Sequence, residues 1–436
     1  MKIENLRSEK NGSRSRIAAS VTWEETDHQT LDLYFETDEE FAYGLSCNPH
    51  AFLVACIMPA LRYGEERVLI DAEICPELRD GLTTAMGWFR HWYDWYEPDR
   101  KLVQIEAKIK YAAPARRTSD RAGFLFSGGI DSLTTLRTNR LNFPLDHPSS
   151  FKDALFVCGL EIEDPEILSK VMSSLSKVAE DANVSLIPVY TNIKEVAEYK
   201  KDLEYDKDFW SDFWQYEFMG PVLAAGAHAF SPHLNSVTIA SHYDIPYIKP
   251  YGCHPLIDPN FSSSCLRLRH DRPLTRFEKT KLIADWDAAL QNIRVCNIAE
   301  LYKYFSETGS LNCGRCEKCV RTMLMLIALK KLKQTHAFPE NDVSEGLARS
   351  AVKLTSYQHM YYPEMVTPLH QCGRPDLARI VESKILEYNQ PQWKKMWKEW
   401  KQYLRRLPKV IYELDQKYLS RTIRKVKKSF YPSQTK

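Results

Sequence analysis

No stretch of the 436 residues approaches the roughly 18 consecutive apolar residues that a membrane-spanning helix needs. Residues 1–16 lack the apolar centre of a secretory signal. Net charge is nearly absent as well. With 59 Lys+Arg against 57 Asp+Glu, a formal +2, the whole chain is not a polyelectrolyte partner for nucleic acid. Internal repeats and low-complexity tracts are missing too. These absences argue against membrane, secreted, fibrous and disordered classes, and a cytoplasmic multidomain protein is the expectation. What is present agrees with it: 44% hydrophobic and 27% charged residues suit a chain that buries a full core. The cysteine count, 11, is odd, and three cysteines fall within one short run. That pattern suits a metal in a reducing compartment better than a disulfide framework.

Three regions are expected. Residues 1–118 mix short strands and helices, an α+β segment. Leu31, Leu33 and Phe35 alternate with polar residues as a half-buried strand does, and Val68–Ile70 is a second apolar run. The spacing turns helical from Pro76 to Trp95, and another strand candidate spans Leu102 to Ile109. The polar stretch 113–120 reads as a linker. Beyond it, short continuous apolar runs at 123–126, 154–157, 186–189 and 236–240 alternate with helical patterns at 165–182 and 219–230. Such alternation predicts a doubly wound parallel sheet covered on both faces, an α/β domain over about 119–260, with a helical cysteine-bearing segment to about 335. Residues 336–436 read as a helical extension. Its last stretch, 391–436, carries 14 Lys+Arg against 3 Asp+Glu, with Trp393, Trp397 and Trp400 on one helical face. That face is either a core stripe with a solvated basic back or a surface for nucleic acid or a partner protein.

The sharpest local signal is Ser127-Gly128-Gly129-Ile130-Asp131-Ser132, where the apolar strand Phe124–Phe126 runs into a turn and then an amphipathic segment. Glycines at a strand-to-helix turn let the backbone approach an anion, and the helix N-terminus adds a positive dipole end. Ser127 and Ser132 add hydroxyl donors, while Asp131 could cap the helix or hold a metal. The string resembles the SGGxDS signature of the PP-loop ATP pyrophosphatases, whose loop holds the pyrophosphate end of ATP while AMP passes to a substrate oxygen. That resemblance implies a PP-loop (HUP-like) sheet, with ATP and Mg2+ as cofactors.

The second signal is Cys313-Gly314-Arg315-Cys316-Glu317-Lys318-Cys319. Two overlapping Cys-x-x-Cys turns aim three thiolates at one point, and tetrahedral structural zinc takes a fourth ligand. Cys296 and Cys265 both stand upstream, with Cys253, His254 and His270 also in reach by sequence. Four sulfurs would close the coordination sphere and make the zinc structural.

The loop and the cysteines together resemble the 7-cyano-7-deazaguanine synthases, the queuosine-pathway branch of the PP-loop enzymes. There one cysteine precedes a Cys-Gly-x-Cys-x-x-Cys cluster, which favours Cys296 as the fourth ligand. Thr275-Arg276-Phe277-Glu278 is similar to that family's Thr-Lys-x-Glu element, with Arg276 in the lysine's place as a phosphate clamp. The resemblance covers about residues 119–330; the flanking segments and the long gap from Cys296 to Cys313 depart from it, as do Tyr251–Pro255 and Ser262–Cys265. A larger group of relatives, some encoded in bacterial anti-phage defence loci, is nearer in size. What the resemblance implies is adenylation of a carboxylated deazaguanine. Amide or nitrile formation follows with ammonia or an amine, and in the larger group the amine could be the N-terminus of a partner protein. Ser127, Asp131 and Arg276 would then be catalytic, residues 127–132 would bind ATP, and Asp131 would meet the magnesium.

Weaker candidates are His242 and Asp244 after the strand ending at Ala240, His254, Trp210, Trp214, Glu161 and Asp164. A competing reading is sulfur delivery to tRNA, which needs a reactive cysteine such as Cys158 or Cys253. A further one is an ATP-binding scaffold without turnover.

Overall fold

A computed structural model describes residues 1–93, 101–109, 120–197 and 213–390. Among these residues ten strands form one sheet: β1 (Lys2–Asn11), β2 (Arg14–Thr22), β3 (Leu31–Asp38), β4 (Arg67–Ile74), β5 (Gln104–Ile109), β6 (Ala122–Leu125), β7 (Phe151–Cys158), β8 (Ser185–Thr191), β9 (Ser236–Ile239) and β10 (Arg267–His270). Across the sheet they run β10-β9-β6-β7-β8-β3-β2-β1-β4-β5. The strands from β10 to β8 are mutually parallel, as are β1, β4 and β5. The three pairings that join these groups, β8–β3, β3–β2 and β2–β1, are antiparallel. The fold is therefore mixed α/β with a mostly parallel sheet.

β6, β7, β8 and β9 fall on the apolar runs expected of the α/β domain. Side chains along them alternate between two cores, as the pleat requires. Phe124, Phe126, Ala154 and Phe156 face the helices Ile130–Asn142 and Pro165–Asp181, whereas Leu125, Leu155 and Val157 face the opposite side. That opposite face is covered by the helices Pro49–Arg62, Pro76–Tyr93 and Met219–Ala229. Segments on either side of the expected boundary thus share one sheet and one core. β3 meets β8 through Phe35–Thr191 and Glu36–Tyr190, and the buried Thr37 hydroxyl donates to the Pro188 carbonyl at 2.8 Å. Of the linker at 113–120, only Asp120 is among the described residues.

Pro49–Arg62 is buried along nearly its whole length because it packs on β4 and on Met219–Ala229; a helix apolar on all sides is a buried one. His50 and His228 face each other there, ring centroids 5.5 Å apart. His50 Nε2 accepts the Cys75 N–H at 3.0 Å, and His228 Nε2 lies 2.7 Å from the Phe261 carbonyl. Burial holds both imidazoles neutral, His50 at about 3 and His228 at about 4. An unfolded histidine takes up its proton near pH 6.5, so below that pH the unfolded chain binds protons that the fold refuses. Stability from this pair is complete above pH 6.5 and falls as the pH drops towards 4. Each histidine is expected to cost about 2 kcal/mol at pH 5 relative to neutral pH. Urea midpoints at pH 5 and 7.5 check this, and His228→Gln should remove the share of the difference that His228 contributes and leave that of His50.

The C-terminal region is helical over its described part, with Glu345–Ala351, Pro363–Gln371 and Pro375–Tyr388. Trp393, Trp397, Trp400 and the rest of the basic segment lie outside the described residues. No helix among the described residues is long and apolar enough to cross a membrane.

Candidate functional site

β6 lies between β7, which follows it in sequence, and β9, which is reached later. This is a topological switch point, where a crevice opens at the carboxyl ends of the strands. The chain leaves β6 there through Phe126-Ser127-Gly128-Gly129 and enters the helix Ile130–Asn142. Gly128 has φ +75°, a left-handed backbone that favours glycine, and a Cβ on it would also press on Leu175 Cδ2 at 2.7 Å. Gly129 is the N-cap and has no side chain to take the first helical N–H groups, which leaves them for a ligand. The turn is braced from within. The Ser127 N–H donates to Ser132 Oγ at 3.2 Å, and that hydroxyl lies 3.2 Å from the Gly129 carbonyl.

Asp131 sits in the first helical turn and is held by cations. Its Oδ1 accepts from Lys279 Nζ at 2.7 Å and its Oδ2 from Arg276 Nη2 at 3.0 Å, with His242 Nδ1 3.7 Å from Oδ2. Burial pushes the carboxyl up, but Arg276, Lys279 and then His242 overcome it and hold Asp131 well below the ordinary carboxylate range. Burial draws the Lys279 ammonium down, and Asp131 opposes it. Lys279, only 2% exposed, also donates to the Ser241 carbonyl. Arg276 and Lys279 share one face of the helix Arg276–Ala284. The start of that helix is fixed by a capping box: the Glu278 N–H donates to Thr275 Oγ1 at 3.2 Å, and the Thr275 N–H to Glu278 Oε2 at 3.0 Å. The Thr-Arg-Phe-Glu element is thus the device that aims both cations at the loop. Lys279 has no marker in the sequence beyond its place directly after that element.

Asp131, the expected magnesium contact, therefore carries a cation on each oxygen and offers the ion no oxygen free of one.

Two cavities meet at the loop. One, of about 270 Å3, is mainly apolar and lies between the ends of β6 and β7 and the side chains of Trp214, Met219 and Leu223. The other, of about 530 Å3, is polar and is ringed by Arg276, Arg321, Lys318 and several tyrosines. Ser127, Asp131, Glu161, His242 and Arg294 line both. The Tyr361 ring stacks near both Arg321, 4.3 Å away, and Arg276, 5.3 Å away. Tyr361 follows the cysteine segment and reaches the cleft because the helix Pro363–Gln371 packs on Glu317–Ala328.

Among the weaker candidates, His242 and Glu161 reach the cleft. Burial keeps the His242 imidazole below its ordinary value against the pull of Asp131, and its ring lies parallel to Tyr251 at 5.2 Å. Trp214 lines the apolar cavity. Asp164 instead caps the helix Pro165–Asp181, accepting from the Glu166 and Ile167 N–H groups at 2.9 Å. His254 packs against Trp92 and accepts the Leu256 N–H at 3.0 Å, away from the cleft. Asp244 is the N-cap of the short turn Ile245–Tyr247. Trp210 lies outside the described residues.

The cysteines form a second centre beside the first. The Sγ atoms of Cys296, Cys313, Cys316 and Cys319 all lie within 4.8 Å of one another. Cys296–Cys316 and Cys313–Cys319 are each 3.9 Å apart. Tetrahedral zinc with bonds of about 2.3 Å sets its sulfurs about 3.8 Å apart, so the four thiols fit such an ion and leave no open position. Gly314, at φ +68°, makes the knuckle, and the Arg315 and Cys316 N–H groups donate to Cys313 Sγ at 3.4 and 3.2 Å, which favours its thiolate. Cys265 lies elsewhere, 3.3 Å from the Ser263 hydroxyl. The long gap between Cys296 and Cys313 holds an extra helix, Ile298–Thr308, closed by Gly309 at φ +59°. Two helices, Arg276–Ala284 and Asp287–Asn292, lie before Cys296, broken at Asp285-Trp286. Cys296 follows the second.

Cys158 and Cys253 both line the apolar cavity. Burial pushes the Cys158 thiol up to about 12 and the Cys253 thiol well above its ordinary range, so neither is an activated nucleophile. No family model matches this chain, and no curated protein or solved structure matches it either.

Proposed function

We propose that this protein is an ATP-dependent ligase that activates a carboxylate as its acyl adenylate, with release of pyrophosphate. An amine or ammonia then attacks the adenylate. The observation that carries this reading is the Ser127–Ser132 turn, a helix N-terminus without a side-chain cap that opens at the switch point onto a cleft lined by Arg276, Arg294 and Arg321. A carboxylate resists nucleophiles because charge and resonance oppose attack. Its oxygen attacks the α-phosphorus of ATP and pyrophosphate leaves; the amine nitrogen attacks the carbonyl carbon, AMP leaves with the former carboxylate oxygen, and the nitrogen gives up a proton. The chain's task is to hold the phosphates in line and to meet the charge that develops on the leaving pyrophosphate. Ser127 and Ser132, the N–H groups at Gly128–Gly129, and the arginines are suited to that. Arg276 clamps phosphate, and Asp131 orients Arg276 and Lys279. No step runs through a magnesium ion held by Asp131, since both of its oxygens carry cations. The zinc is structural.

By resemblance the acid is 7-carboxy-7-deazaguanine or a close relative. The acceptor is ammonia, or an amine such as the N-terminus of a partner protein; with ammonia, a second adenylation on the amide oxygen would release pyrophosphate, and loss of AMP with that oxygen and of the nitrogen's protons would give a nitrile. The apolar cavity beside the loop, of about 270 Å3, suits a planar heterocycle. The protonated state of Cys158 and Cys253 weighs against sulfur delivery to tRNA.

Oxygen-18 in the carboxylate tests the chemistry. The AMP produced is expected to carry one labelled oxygen. Unlabelled AMP, or ADP in place of AMP, would refute carboxylate adenylation.

A further inference from the structure

The stretch from Ile293 to Cys296 is a strap between the phosphate loop and the cysteine centre. At one end, the Arg294 N–H donates to the Gly128 carbonyl at 3.0 Å, and Arg294 Nη2 donates to the Ser127 carbonyl at 3.3 Å. At the other end, the Val295 N–H donates to Asn312 Oδ1 at 2.8 Å, and Asn312 Nδ2 donates to the Ile293 and Ala337 carbonyls, each at 2.8 Å. Asn312 is fully buried and immediately precedes Cys313, whose N–H donates to Cys296 Sγ at 3.4 Å. Every step from the glycine loop to the sulfurs is hydrogen-bonded.

Arg294 rides on this strap, and its side chain lines both cavities. Around the loop, Arg276 and Lys279 are met by Asp131, and Arg321 by Glu317 at 3.0 Å. Arg294 has no carboxylate at ion-pair distance among the described residues, and its buried Nε has no hydrogen-bond partner there. A buried guanidinium donor left unpaired costs free energy, and an anion in the cleft would recover it through charge-assisted hydrogen bonds.

We propose that Arg294 is an anion-binding residue of the cleft, meeting the polyphosphate of ATP, and that the four-cysteine centre holds it against the phosphate loop through the Asn312 strap. This rests on the adenylating reading above and adds to it the residue that couples the two centres.

The test is calorimetric titration of the zinc-loaded full chain with inorganic pyrophosphate and with a non-hydrolysable ATP analogue, with zinc content measured on each sample. Arg294→Gln keeps a donor for the Ser127 carbonyl and removes the charge; it is expected to weaken pyrophosphate binding about tenfold or more with zinc content unchanged. Arg294→Lys restores the charge and should recover part of the loss, a rescue that a purely structural role would not give. Asn312→Ser cuts the strap without touching a sulfur, and should weaken binding while zinc is retained. If Arg294→Gln binds pyrophosphate as the parent does, the assignment of Arg294 is overturned and the ligase reading stands. If Asn312→Ser alone binds normally, the coupling to the cysteine centre is overturned. If the parent binds neither probe, this inference and the ligase reading fall together.

Discussion

Exchanging Asp131 for asparagine is expected to cost about 3 kcal/mol of stability and to abolish pyrophosphate release at the same time. Asparagine keeps the shape but not the charge. Lys279 and Arg276 would then face each other in a buried cluster with no counter-ion, and removing one partner of a buried ion pair is costly because the other charge stays buried. Urea unfolding measures the loss. Lys279→Met placed on Asp131→Asn should return part of the stability, since it removes the stranded charge, and this double-mutant cycle separates electrostatics from packing. An Asp131→Asn protein as stable as the parent would show that the cluster is not an energetic unit. The pH dependence has a definite sign. Asp131 is held below its unfolded value near 3.9, so its contribution is complete above about pH 4 and is lost only as the pH falls through the depressed folded value. Weakening between pH 6.5 and 4 should therefore come from histidines that burial holds neutral, His50, His228 and His254, and Asp131→Asn should leave that window in place.

The second large effect is expected at the cysteines. Structural zinc contributes an apparent binding free energy of roughly 10–16 kcal/mol in small metal-dependent domains, so the loss of one of four sulfurs removes a large share of local stability. Cys316→Ser should lower zinc content and thermal stability together, whereas Cys265→Ser, whose thiol sits beside Ser263, should change neither. Zinc lost from Cys265→Ser and kept by Cys296→Ser would show that the sulfurs which converge here are not the ligands.

Much of the site was legible because its signals are local. A Ser-Gly-Gly turn after an apolar strand is a sequence event, and so is a pair of overlapping Cys-x-x-Cys turns; both are formed by residues a few positions apart. What escaped is what only tertiary structure assembles. Lys279 and Arg294 are single charged residues in unremarkable surroundings, and each becomes notable only when its helix or strap is laid against the loop. Tyr361 and Arg321 reach the cleft through helix packing that leaves no spacing to read. In the fold, β6 to β9 announced themselves as continuous apolar runs because they are buried on both faces. β1 and β2 did not, since their outer residues are largely polar and the hairpin turns on Gly12-Ser13 alone. The pairing of β3 with β8 brings together residues more than 150 positions apart, and no local pattern encodes that.

The most direct test of the central claim is a pyrophosphate-release assay on the zinc-loaded full chain with ATP and magnesium. It is run with and without 7-carboxy-7-deazaguanine and ammonia, and the products are analysed by mass spectrometry. Carboxylate-dependent pyrophosphate, with AMP and an amide or nitrile product, is the expected result. Absence of pyrophosphate with this acid and with other carboxylates, from protein that is folded and carries its zinc, would contradict the account.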